Sequence, residues 1–226
     1  MKYWYDTEFI ETGAKNPIDL ISIGMVAEDG REYYAISTEF NAKYASAWVK
    51  ENVLKHLPPR SPNPAYESPR IVQEARAWKS RKQIADDLLV FCDPVTYGPP
   101  EFWGYYSAYD HVVLCQLFGS MMHLPDGWPY YTRDLRQWAD SLGITEPLDQ
   151  FVTNEAEHHA LADARWTKAA WDHSNPAVIK AQLSQLSQEQ FIIQALVIRS
   201  TLLQLPFSPS AKSNYQRFLN LYKLVS

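Results

Sequence analysis

Residues 2–10 read KYWYDTEFI, and these nine positions decide the fold. Tyr3, Trp4, Tyr5 and Phe9, with the β-branched Thr7 and Ile10, predict a β-strand. Side chains alternate along a strand, so Asp6 and Glu8, two residues apart, share one face. Carboxylates set among aromatic residues are costly to bury unless their charge is compensated, and a bound cation is one compensation. A solvated strand face is the alternative that an Asp-x-Glu pair alone leaves open.

Working outward, Gly13, Asn16 and Pro17 end the strand in a loop, and residues 18–27 predict a second strand. Asp29-Gly30 is a strong hairpin signal, and residues 31–40 predict the returning strand. Residues 42–57 predict a helix. Pro58, Pro59, Pro62, Pro64 and Pro69 then prevent regular structure to about residue 70, which predicts a surface loop or lid. Helical spacing over 71–91 and a loop over 94–100 precede a short strand, 102–106, that feeds a helix over 110–117, an α/β unit. Further helices are predicted over 132–142, closed by Gly143, and over 158–171, ended near Asn175-Pro176. The core domain is therefore expected to span residues 1–174. Residues 175–226, rich in Gln, Leu and Ile, predict a helical C-terminal extension with helices over 187–203 and 213–224.

Composition narrows the function classes. With 46% hydrophobic and 14% aromatic residues in 226, the chain can bury a sizeable core, which excludes the disordered class. No basic segment followed by an apolar run opens the sequence, and no apolar stretch approaches the length of a membrane span, so a soluble, cytoplasmic protein with no membrane partner is expected. Cys92 and Cys115 lie in apolar surroundings without CxxC spacing, which predicts two buried thiols rather than a disulfide framework or a zinc site. The net charge of −5 argues against a broad basic surface for nucleic acid. It leaves open a local grip through metal ions.

Three further residues extend the acidic pair. Asp110 follows the apolar strand at the start of a helix, where an acid favouring the helix dipole is an equally good explanation. His158 and Asp163 are five apart, which on one helix separates them by about 140° at about 100° per residue. Both face one site only if His158 lies on the loop entering that helix. His159 then points elsewhere and is read as structural. Two acids on one strand and two at helix starts, with no Cys or His pair at ligand spacing, suit a hard cation such as magnesium or manganese. Two such ions about 4 Å apart can activate water and stabilise a leaving 3′-oxygen at a phosphodiester, with a nearby histidine taking the water's proton. Arg133 and Asp134 are read as a surface arginine and a helix-start acid. Trp48, Trp78, Trp128 and Trp138 are read as core or lid packing.

With Asp6-Thr7-Glu8, Asp110 and His158-x-x-x-x-Asp163 in this order, residues 1 to about 172 resemble the DEDDh branch of the ribonuclease-H-like exonucleases. YDTEFIE, LISIGMVAEDGREYYA, AYDHVVLCQL, TRDLRQ and HHALADAR resemble its mycobacterial exoribonucleases most closely. The resemblance implies an α/β, ribonuclease-H-like (DnaQ-like exonuclease) mixed sheet flanked by helices. It implies two magnesium ions, with manganese substituting, on Asp6, Glu8, Asp110 and Asp163, and His158 as general base. It also implies that Thr7 and Phe9 touch the terminal nucleotide, Phe9 by stacking or wedging against its base. Single-stranded RNA or RNA 3′ overhangs would be the substrate, trimmed 3′ to 5′ with a preference for adenylate-containing RNA, by a homodimer. Many relatives carry Asn four residues before the second-motif Asp; here that residue is Tyr106. A DNA exonuclease of the same chemistry, a nuclease of short RNA fragments and a catalytically silent binding protein are the competing readings.

Overall fold

The computed structural model describes residues 1–13, 16–63, 65–144, 147–150, 152–154 and 157–175. Six strands form one mixed sheet in the order β4-β3-β2-β1-β5-β6. β1 (Lys2–Ile10) lies inside it, antiparallel to β2 (Asp19–Ala27) and parallel to β5 (Glu101–Gly104). β2 returns antiparallel as β3 (Glu32–Ser37), through the turn at Asp29-Gly30, where Gly30 takes φ +89°. The opening strand and hairpin are thus as expected. So is the mixed sheet flanked by helices of the ribonuclease-H-like class.

Helix α1 (Ala47–Asn52) lies between two 3-10 turns, Ala42–Tyr44 and Leu54–His56, where one continuous helix was expected. The Ser46 hydroxyl caps α1 at Val49 and restarts the chain there. The expected helix over 71–91 is also divided. α2 (Pro69–Glu74) ends in a 3-10 turn, and Trp78–Lys79 extends as β4, parallel to β3. Ser80 and Gln83 then make a capping box that opens α3 (Arg81–Phe91). The expected loop over 94–100 contains a short helix, α4 (Pro94–Tyr97), capped by Asp93 with Pro94 in its first turn. α5 (Ala108–Leu117) follows β5. The first residues of the helix expected over 132–142 join the sheet as β6 (Arg133–Asp134), and α6 (Leu135–Ser141) follows. α7 spans Ala160–Ser174. The extension beyond residue 175, with its two expected helices, lies outside the described residues.

The chain forms two compact units, residues 1–144 with 153–168, and residues 145–152 with 169–226. In the first, Tyr3 and Tyr5 of β1, Ile23 and Met25 of β2, Ile84 and Leu88 of α3, and Val113 and Leu114 of α5 build the main core. Cys92 and Cys115 are buried free thiols, as expected. In the second, the described residues hold the 3-10 turn Leu148–Gln150 and residues 169–174 of α7. None of the described helices is long and apolar enough to cross a membrane.

Candidate functional site

Alternation along β1 sorts its side chains between two layers. Tyr3 and Tyr5 enter the core shared with α3 and α5, and Thr7 continues that row towards α5. Trp4, Asp6 and Glu8 take the opposite face, where Lys168 of α7 lies 5.0 Å from the Trp4 ring centre. Asp6 pairs across the ladder with Gly24 of β2. A side chain at Gly24 would meet the backbone of Leu161 at 2.2 Å and that of Ala160 at 2.3 Å. The missing Cβ lets the first turn of α7 lie directly on the sheet beside Asp6. Two contacts with β3 hold that turn: Arg165 makes a bidentate pair with Glu32 at 2.7 and 2.6 Å, and His159 stacks on Tyr34 at 4.4 Å. His159 is thereby occupied structurally, as its position predicts.

This close approach brings Asp163 to the acidic pair. One carboxylate oxygen from each of Asp6, Glu8 and Asp163 lies within 4.8 Å of the other two. The Asn154 amide donates a short hydrogen bond to Asp163 Oδ1. Asp110 does not join this group of three; it is held on Thr7 from the α5 side, near enough for its charge to act on Asp6 and Glu8. A side chain at Gly104 would meet Ser107 Cβ at 2.4 Å, so the glycine permits the tight turn from β5 into α5. Asp134 accepts from the Ser107 amide at 2.8 Å and holds that turn, while its other oxygen caps α6. Asp134 is therefore a helix-start acid, as read, with a second task.

Thr7 is bonded to Asp110. It is 4% exposed, and its amide (2.8 Å) and hydroxyl (2.6 Å) both donate to Asp110 Oδ1. Thr7 therefore holds the Asp110 carboxylate in place. Phe9 remains half-buried at the margin of the core, with its ring 5.9 Å from that of Tyr109.

His158 lies on the loop ahead of α7, as the spacing to Asp163 requires, with the left-handed φ of +65°. The Trp48 ring stands edge-on to its imidazole at 4.6 Å. Trp48 is 53% exposed, so of the core or lid packing expected of it the core is excluded. Trp128 is buried in the main core and Trp138 packs against Trp103. Sequence reasoning missed Asn154, Trp48 and the two glycines; close packing of a helix start on a strand glycine leaves no local pattern.

The electrostatics of the cluster are those of acids crowded out of water. Burial, then Asp163 and Asp110, push the Glu8 carboxyl up to about 8. Burial, then Asp110, Asp163 and Glu8, push Asp6 well above the carboxylate range. Burial raises Asp110 to about 6 against the opposing bonds from Thr7, and raises Asp163 against the bond from Asn154. A divalent cation would relieve this repulsion, and an all-carboxylate donor set fits a hard cation with oxygen ligands.

A family model described as the 3′-5′ exoribonuclease Rv2179c-like domain matches residues 1–174. Two proteins of Mycobacterium tuberculosis, 3′-5′ exoribonuclease MT2234.1 of strain CDC 1551 and 3′-5′ exoribonuclease Rv2179c of strain H37Rv, are each 47% identical over 167 residues. The aligned region covers 73% of this chain and 88% of each relative. With a model matching most of its length and relatives at this identity, the chain belongs to the Rv2179c-like 3′-5′ exoribonuclease domain family.

Proposed function

We propose that the chain is a 3′-to-5′ exoribonuclease of the DEDDh type, hydrolysing single-stranded RNA or RNA 3′ overhangs and releasing nucleoside 5′-monophosphates. The observation that carries this reading is the convergence of Asp6, Glu8 and Asp163 within 4.8 Å of one another, in a chain of this family. Asp6, Glu8, Asp110 and Asp163 would hold two magnesium ions, for which manganese substitutes. When bound, such ions supply charge neutralisation of the phosphodiester, a lowered pKa of water and stabilisation of the leaving 3′-oxygen.

The side chains supply position and proton transfer. Thr7 fixes the Asp110 carboxylate through its Oδ1 and Asn154 fixes that of Asp163, so both ligands are oriented before the ions arrive. His158 takes the proton of the attacking water, and its place ahead of α7 leaves its side chain 37% exposed to meet it. Phe9, backed by Tyr109, offers a stacking surface to the terminal base. With a net charge of −5, grip on the strand falls to the ions and to stacking rather than to a basic surface. The names of both relatives support RNA over DNA as the substrate. The resemblance further supports a preference for adenylate-containing 3′ ends and a homodimeric state.

The test is to incubate the protein, with Mg²⁺ and separately with EDTA, with 5′-labelled RNA and DNA of matched sequence, and to resolve the products by length. The expected result is a metal-dependent ladder shortening RNA from its 3′ end. Equal shortening of DNA would make the chain a general exonuclease, and intact strands in all lanes would refute the reading.

A further inference from the structure

The carboxyl end of β5 carries a ladder of aromatic rings. Trp166 of α7 packs edge-on to Tyr105 at 4.9 Å, and Tyr105 packs on Tyr106 at 4.4 Å. The ladder ends in the open, since Tyr106 is 66% exposed.

Its backbone is also unusual. Tyr106 takes the left-handed φ of +55°, and among the described residues the only other non-glycine with positive φ is His158. The two precede the helices that bear Asp110 and Asp163. Tyrosine is a poor choice for such a backbone, which Gly, Asn or Asp adopt with less strain. Burial does not compensate; the ring meets that of Tyr105 at a tilt of 52°, and the two side chains share a hydrogen bond. Strain held on an exposed aromatic residue just ahead of the helix that bears Asp110 points to a ligand for that ring.

The strand register shows where the chain carries residue 106. Trp4 pairs with Trp103 in the parallel β1–β5 pair, so the chain leaves β5 beside the start of the Asp6-Thr7-Glu8 segment. Ligands of α/β sheets gather at such carboxyl strand ends. We infer that Tyr106 is a base-stacking residue of the substrate site, taking a nucleobase of the single strand as the next rung of the ladder. Stacking tolerates any base, which suits an enzyme that must step along a strand, and it serves an acidic chain that cannot rely on phosphate contacts. The inference rests on the exoribonuclease reading.

The test compares wild type, Tyr106→Asn, Tyr106→Gly and Tyr106→Phe by KM and kcat on a 5′-labelled oligoadenylate, intact or with abasic residues near its 3′ end. Both Asn and Gly suit the left-handed backbone, so these variants are expected to keep the wild-type melting temperature. Each should raise KM about tenfold with kcat little changed. Tyr106→Phe should restore the wild-type KM. Abasic substitution should raise KM for wild type more than for Tyr106→Asn, because those two changes remove one contact in common while the stacking on Phe9 is lost in both. An abasic penalty equal in wild type and Tyr106→Asn, a wild-type KM in the Asn and Gly variants, or a Phe variant as impaired as the Asn variant would overturn the inference. A wild type that does not trim RNA would instead overturn the reading on which it rests.

Discussion

Glu8 sits where burial and the charges of Asp163 and Asp110 push its carboxyl up to about 8; burial with Asp110, Asp163 and Glu8 raises Asp6, and burial raises Asp163. The folded state therefore holds protons on these acids that the unfolded chain has already released, from the ordinary carboxylate range up to about pH 8. Stability of the metal-free protein from this source falls as pH rises through that window. Thermal melts in EDTA should show a lower Tm at pH 8 than at pH 6. Glu8→Gln should flatten that fall and raise Tm at pH 8 by about 2–4 °C, on the order of 1 kcal/mol. A Tm in EDTA that rises steadily from pH 6 to pH 8 would refute the crowding of charge. Beside these acids, Asn154→Ala removes the amide that orients Asp163. Manganese affinity, measured by titration calorimetry, should fall about tenfold with the fold intact. Asp6 and Glu8 stand out in the sequence as carboxylates among aromatic residues, whereas Asp110, His158 and Asp163 stand out only through the order and spacing of the motifs in which the chain resembles its family. Asn154 does not, being one polar residue in a loop, and the burial of Thr7 depends on α5 lying beneath β1.

The elements that carry the acids meet through glycines. A methyl group at Gly24 would strike the backbone of Leu161 at 2.2 Å, and backbone cannot step aside as a side chain can. Gly24→Ala should therefore cost about 2–3 kcal/mol, lowering Tm by about 5–10 °C, and lower kcat as well by lifting the start of α7, with Asp163, off the sheet. A Gly24→Ala variant that melts and turns over like wild type would show that this approach does not set the site. The strands β1, β2 and β3 could be read from their residue types and from Asp29-Gly30, because those signals are local. The pattern over 71–91 misled because Trp78–Lys79 pairs with β3, so a tertiary ladder overrides the helical spacing on either side. Arg133–Asp134 was drawn into the sheet in the same way by β5. The short helix Pro94–Tyr97 did carry its signal, an Asp cap followed by proline, within a stretch whose prolines favoured a loop.

For the molecule as a whole, a net charge of −5 with a local acid cluster predicts binding to RNA that is driven little by counterion release. In the presence of a divalent cation, RNA affinity should fall less than about tenfold between 50 and 200 mM salt, as for contact with about two phosphates. A loss of a thousandfold would require a basic surface that the composition does not supply. The central claim is that Asp6, Glu8 and Asp163 form a metal site. It is tested most directly by calorimetric titration of Mn²⁺ into wild type and into Asp6→Asn and Asp163→Asn variants of unchanged circular dichroism. The account predicts saturable binding to wild type that is lost or weakened at least tenfold in each variant. Binding of equal strength in wild type and both variants, or none in wild type, would contradict it.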